Sequence, residues 1–162
     1  MAWSRLTAWF RQRYSATPSG SSTPLTQPGA VEPHEPVTRF IYSAEHFAAT
    51  IGRVRPAAIA PLAHRVSGRL ETSVYRVDGQ SESDVWAICA AHVDNTAAAR
   101  IMKARATCEA GLILAQGLTF DPDGQPHPRH ANIIGWPSTK NEQKNLQQRI
   151  VAEMKLELRP KG

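Results

Sequence analysis

The densest group of side chains able to do chemistry lies in Gln125-Pro-His127-Pro-Arg-His130-Ala-Asn132-Ile-Ile-Gly-Trp136-Pro137. Prolines fix their own φ and restrict the residue before them, so a stiff extended loop is expected, projecting His127, Arg129 and His130. Two imidazoles, a guanidinium and the carboxamide of Asn132 can together bind a metal, bind an anion or move a proton. The same polar groups can instead satisfy buried backbone atoms while Ile133, Ile134 and Trp136 pack inside. Because function concentrates on loops held by rigid scaffolds, this segment is the first candidate site.

A second group is Arg105-Ala-Thr-Cys108-Glu109. Read as helix, it places Arg105 and Glu109 on one face and turns Cys108 inward, in register with Ile101 and Leu112. A small buried thiol is the common fate of such a cysteine. A third group, Cys89-Ala-Ala-His92, puts thiol and imidazole on one helix face. With Cys108 and His130 it has the composition of a Cys₂His₂ zinc site, but positions inside an apolar helical stripe fit a core role better.

The elements that must position these groups follow from periodicity. Residues 1–14 (MAWSRLTAWFRQRY) form a short basic amphipathic segment, which reads either as a membrane-surface or partner-docking helix or as a frayed tail or residues added by an upstream start codon. Residues 15–37, rich in Pro, Ser, Thr and Gly, cannot repay their ordering entropy and are expected to be a disordered linker, with His34 solvated. A single α+β domain is then expected over 38–162. Arg39 to Tyr42 predicts a strand, and Ala44 to about Gly52 a helix capped by Ser43. Arg55 to Pro61 is expected to be extended.

Alternation in LETSVYRV predicts a strand from Leu70 to Val77, with Leu70, Thr72, Val74 and Arg76 on one side and Ser73, Tyr75 and Val77 on the other. Asp78-Gly79 is its turn. A helix is expected from Ser81 to Val93, and a second from Ala97 to about Gln116, stopped by Gly117. Leu118 to Phe120 predicts a short strand closed by the turn Asp121-Pro-Asp-Gly124. A last helix, capped by Ser138, runs to Met154, and Leu156 to Leu158 returns to a sheet edge. The fold class expected is thus α+β, three or four helices with a small sheet, preceded by a disordered N-terminal linker.

Composition bounds the rest. The chain has 162 residues, 41% hydrophobic, and two cysteines, too few for a disulfide framework, so a reducing, cytoplasmic setting is expected. No apolar run reaches the roughly 18 to 20 residues of a transmembrane helix. Lys and Arg number 19 against 14 Asp and Glu, but the cations are dispersed, which disfavours nucleic acid as a partner.

Cys108-Glu109 followed by His127 and His130 resembles the Cys-Glu-His-His signature of the CEHH proteins, predicted hydrolases associated with bacterial ubiquitin-like conjugation and deconjugation systems. More broadly, Ser73 to Arg76, Gly117 to Phe120 and Arg129 to Pro137 are similar to a group of small bacterial proteins, over most of Thr38 to Pro160. The resemblance implies a hydrolase with Cys108, Glu109, His127 and His130 as its catalytic set, and a ubiquitin-like protein or conjugation components as partners. In a metal-dependent version His127, His130 and Glu109 (or Cys108) bind a divalent ion such as zinc, which lowers the pKa of a bound water. In a metal-free version Cys108 is the nucleophile, His130 the base and Asn132 orients the imidazole. Arg105 or Arg129 would hold an anionic substrate group. The alternative is a non-catalytic accessory module that binds a nucleotide, nucleic acid or acidic peptide through Arg76, Arg105, Arg129 and His130.

Overall fold

Strand-forming sequence dominates this chain and the helices are few. The computed structural model describes residues 29–161. In chain order these form β1 (Pro36–Ile41), β2 (Phe47–Ala48), β3 (Arg53–Val54), β4 (Leu62–Ala63), β5 (Leu70–Arg76), α1 (Glu82–His92), β6 (Ala104–Glu109), α2 (Ala110–Leu114), β7 (Thr119–Asp121), β8 (His130–Ile134), α3 (Lys140–Ala152) and β9 (Lys155–Leu158). The main sheet runs β7-β8-β5-β1-β6-β9 with every neighbouring pair antiparallel, β4 adding to β5, and β2 and β3 make a separate hairpin. No helix of the described residues is long and apolar enough to cross a membrane.

Two cores lie on opposite faces of the sheet because strand side chains alternate. On one face Val37, Val74, Ala104, Ala106, Ala131 and Ile133 meet Ile113 of α2, Leu146 and Ile150 of α3, and Ile59 of a 3-10 turn at Pro56–Ile59. Burying side chains such as Ile59, Ile113 and Ile150 contributes about 1.5–3 kcal/mol each relative to exposure. On the other face Phe40 and Tyr75 pack on Val85, Trp86 and Cys89 of α1 and on Met102. The same face carries Ser73 of β5 and, on β8, His130 and Asn132, beside this second layer.

The strand over Leu70–Arg76 has the two faces its alternation predicts. Helix α1 begins where Ser81 accepts a hydrogen bond from the Asp84 N–H. In α3 the cap is Thr139 rather than Ser138: its Oγ1 accepts from the Glu142 N–H, and the helix closes two residues before Met154. The return strand at the C-terminus is β9, on the sheet edge.

Three further expectations are corrected. The helix expected over Ala97 to Gln116 is instead a 3-10 turn (Thr96–Ala98), β6 and the single turn of α2. Alanines that favour helix locally alternate here with Arg105 and Thr107, and β6 gains partners on both edges, β1 and β9, which outweighs a propensity of tenths of a kcal/mol per residue. The Ala44 to Gly52 helix breaks into two 3-10 turns flanking β2, with Gly52 left-handed at φ 61°. The Arg55 to Pro61 segment forms the 3-10 turn named above, with Pro56 in its first turn.

Strand β1 opens at Pro36, and Glu35 before it is buried in a two-pronged pair with Arg76, Oε2 to Nε 2.8 Å and Oε1 to Nη2 2.7 Å. The end of the composition-defined linker is therefore part of the fold, and His34 is exposed as expected. The basic segment 1–14 and linker residues 15–28 lie outside the described residues.

Candidate active site

Ser73, in the middle of β5, and His130, the first residue of β8, share the face of the sheet on which α1 packs. Pairing sets Ser73 opposite Asn132 and Tyr75 opposite His130, so Ser73 and His130 are diagonal neighbours. Ser73 Oγ lies 2.6 Å from His130 Nε2. The other ring nitrogen, Nδ1, lies 2.5 Å from Oδ1 of Asp123. Asp123 comes from the turn after β7, and its carboxylate also accepts from Asn132 Nδ2 (3.0 Å) and the Gln125 N–H (3.2 Å).

A carboxylate can only accept, so in the neutral imidazole Nδ1 carries the proton and Nε2 is left as an acceptor for the Ser73 hydroxyl. Hydroxyl, imidazole and carboxylate thus stand in the order that lets the imidazole take the hydroxyl proton, an arrangement recognised by geometry rather than by sequence position. His130 is only 6% exposed and its ring meets the Tyr75 ring edge-on at 5.2 Å, which limits its rotation. Burial, then Cys89 and Asp123, push the Tyr75 phenol up to about 12, so it stays neutral.

Ser73 and His130 border a cleft of about 330 Å³ between β1, β5 and the end of α1. β1 pairs with β5 only at Val37–Arg76 and Thr38–Tyr75. Just past that pairing, Arg39 reaches across, donating from Nη1 to the Ser73 carbonyl (2.9 Å) and from Nε to the Ala58 carbonyl (3.3 Å). Burial, then repulsion from Arg100, lower the Arg39 guanidinium to about 10, so it keeps its charge at neutral pH.

Of the residues singled out from sequence, the fold gathers His130 and Asn132 at this centre and sets His127 beside it. The His127 ring lies tilted against His92, centres 4.8 Å apart, and 6.4 Å from Tyr75. Burial, then His92 and Arg129, hold its imidazole below the usual range. The segment is less a free loop than expected, since His130 to Ile134 is strand and the His130 N–H closes a turn on the His127 carbonyl. Arg129 is spent on structure, donating to the Arg76 and Asp78 carbonyls.

Cys108 and Glu109 are not gathered. Cys108 sits opposite Val37 on β6, in the core of the other face, with β1 and β5 between it and β8. Burial, then Glu109, push its thiol up to about 12. Glu109 is exposed at the end of β6. Hence the His127, His130 and Glu109 set does not converge, and among the described residues no three His, Cys, Asp or Glu stand close enough to hold a metal ion.

Cys89 is buried on the sheet-facing side of α1 against Asp94, apart from Cys108. Arg105 faces the His130 side of the sheet but pairs with Glu157 of β9, 2.8 Å away. Arg76 is held by Glu35.

Sequence reading missed Ser73, Asp123 and Arg39. Alternation puts Ser73 on one side of its strand with Tyr75, as found, and the sequence pattern around Asp123 marks only a turn. The available signal was an acid in a turn shortly before a histidine; nothing local said which hydroxyl would face that histidine. Comparisons with models of known protein families, with curated proteins and with solved structures found no match to this chain.

Proposed function

We propose that this protein is a hydrolase in which Ser73 is the nucleophile, His130 its general base and Asp123 the group that orients and charges the imidazole. One observation carries the proposal: Ser73 Oγ to His130 Nε2 at 2.6 Å and His130 Nδ1 to Asp123 Oδ1 at 2.5 Å, with the hydroxyl bordering a cleft. The class agrees with the resemblance to the Cys-Glu-His-His proteins, and a role beside a ubiquitin-like system is part of the same proposal. The nucleophile proposed is Ser73 of β5, not the Cys108 that the resemblance implies, because Cys108 lies in the opposite core.

In the reaction, Ser73 Oγ bonds to a substrate carbonyl carbon as its proton passes to Nε2. The leaving group departs with that proton when the carbon–leaving-group bond breaks, which leaves an ester on Ser73. Water, deprotonated by Nε2, then attacks the ester carbon; the Ser73 Oγ–carbon bond breaks, the acyl group leaves as the carboxylic acid, and Ser73 Oγ regains its proton from the imidazolium. General base assistance of this kind accelerates each step by roughly 10² to 10⁴.

The test uses an alkyl fluorophosphonate, which phosphonylates an activated serine with loss of fluoride. Incubated with the full chain and followed by intact mass and peptide mapping, it is expected to modify Ser73 once. The adduct should vanish in Ser73→Ala and His130→Ala variants that still melt cooperatively. An unmodified Ser73 in folded native protein would reject the proposal.

A further inference from the structure

The wall of the Ser73 cleft is one-sided in charge. It carries Arg39, Arg100, His46, His92 and His130, and no Asp or Glu. Among the described residues neither arginine is ion-paired. Arg39 engages two of a guanidinium's five N–H groups, both with backbone carbonyls, so its charge is held at the cleft wall without a carboxylate to neutralise it. Arg100 lies over the Tyr42 ring, 5.5 Å from its centre, at the mouth of the same cleft. A partly buried guanidinium without a counter-ion is costly unless an anion completes it. At about 330 Å³ the cleft is at the small end of ligand pockets.

We infer that the cleft selects an anionic substrate: a small ester, thioester or amide whose carboxylate or phosphate docks on Arg39 and Arg100 while its scissile carbonyl faces Ser73. The placing of the scissile bond rests on the hydrolase proposed above; the docking of the anion does not. Arg39 is fixed to the nucleophile's own carbonyl, so the anion would lie within a few bonds of the reacting centre.

The experiment separates the two parts. The full-length Ser73→Ala chain is titrated with inorganic phosphate and, separately, with succinate, by NMR shifts and melting temperature. The native chain is labelled with the fluorophosphonate in the presence and absence of each anion. Saturable binding is expected, weakened about tenfold or more by Arg100→Gln, as for loss of a charged hydrogen bond, and each anion that binds should slow labelling of Ser73. Arg39→Lys, which keeps charge and loses the fork, should weaken it as well.

Tighter binding of phosphate than of succinate assigns the phosphate, and the reverse assigns the carboxylate. If neither anion binds while Ser73 is still labelled, the anionic class is overturned and the serine hydrolase stands. Binding that neither arginine variant changes overturns the site. Binding without any labelling of Ser73 overturns the placement of the scissile carbonyl.

Discussion

Asp123→Asn is the change that most directly tests the chemistry of the cleft. The carboxylate accepts from three donors: His130 Nδ1 and the Gln125 N–H at Oδ1, and Asn132 Nδ2 at Oδ2. An amide replaces one acceptor by a donor, and either orientation has a cost. With its NH₂ at the Oδ1 position it faces Nδ1 and the Gln125 N–H, and the imidazole must shift its proton to Nε2. That nitrogen then donates to Ser73 and can no longer take its proton.

With its NH₂ at the Oδ2 position it opposes the Asn132 amide at 3.0 Å, so Asn132 must turn over. His130 then keeps its tautomer but loses the negative charge that stabilises the imidazolium. A charge-assisted hydrogen bond contributes about 1.5–3 kcal/mol, and about 1.4 kcal/mol is tenfold in rate, so the second orientation alone costs roughly 10- to 150-fold. The wrong tautomer extends the loss toward 10⁴, the magnitude known for this substitution in serine proteases. The assay is the second-order rate of fluorophosphonate labelling at neutral pH, beside a melting curve showing that the variant is folded. A folded Asp123→Asn chain that labels Ser73 at the native rate would refute the role given to Asp123.

Three further outcomes test the surrounding structure. Hydrogen bonds from Arg76 hold the Glu35 carboxyl below its ordinary value of 4.5, so its contribution to stability is complete above that pH and is lost as the pH falls through the folded-state value. Glu35→Gln should flatten this acid limb of a melting-temperature profile, and Arg76→Met should cost about 2–3 kcal/mol, less than the roughly 3–5 kcal/mol of breaking a fully buried pair. Burial, first of all, pushes both the Cys89 and the Cys108 thiol up to about 12, so iodoacetamide should leave both unmodified in folded protein and modify both after unfolding; alkylation of native Cys108 would contradict its place in the core. Because His92 contributes to holding the His127 imidazole low, His92→Ala should raise the midpoint of the His127 ring-proton NMR titration, and an unchanged or lower midpoint would show that the two rings do not interact as placed.

Local sequence determined the elements whose pattern repeats within a few residues. Alternation marked β5 and assigned its two faces, Ser81 marked the start of α1, and the spacing of Leu146, Ile150 and Val151 marked the buried stripe of α3. It also located His130 and Asn132 as functional candidates. Sequence could not separate strand from helix in Ala104–Glu109, where alanine and arginine favour helix locally and only pairing with β1 and β9 selects the strand.

The site itself was decided by tertiary structure. Ser73 reaches His130 because β5 and β8, far apart in sequence, pair in the one register that sets Ser73 opposite Asn132. A shift of a single residue would turn His130 into the opposite core. Cys108, equally reactive in type, is turned into that core by the same alternation. Residue type and spacing thus name the groups able to do chemistry, but the register between distant strands, set by the packing of both sheet faces, decides which of them meet.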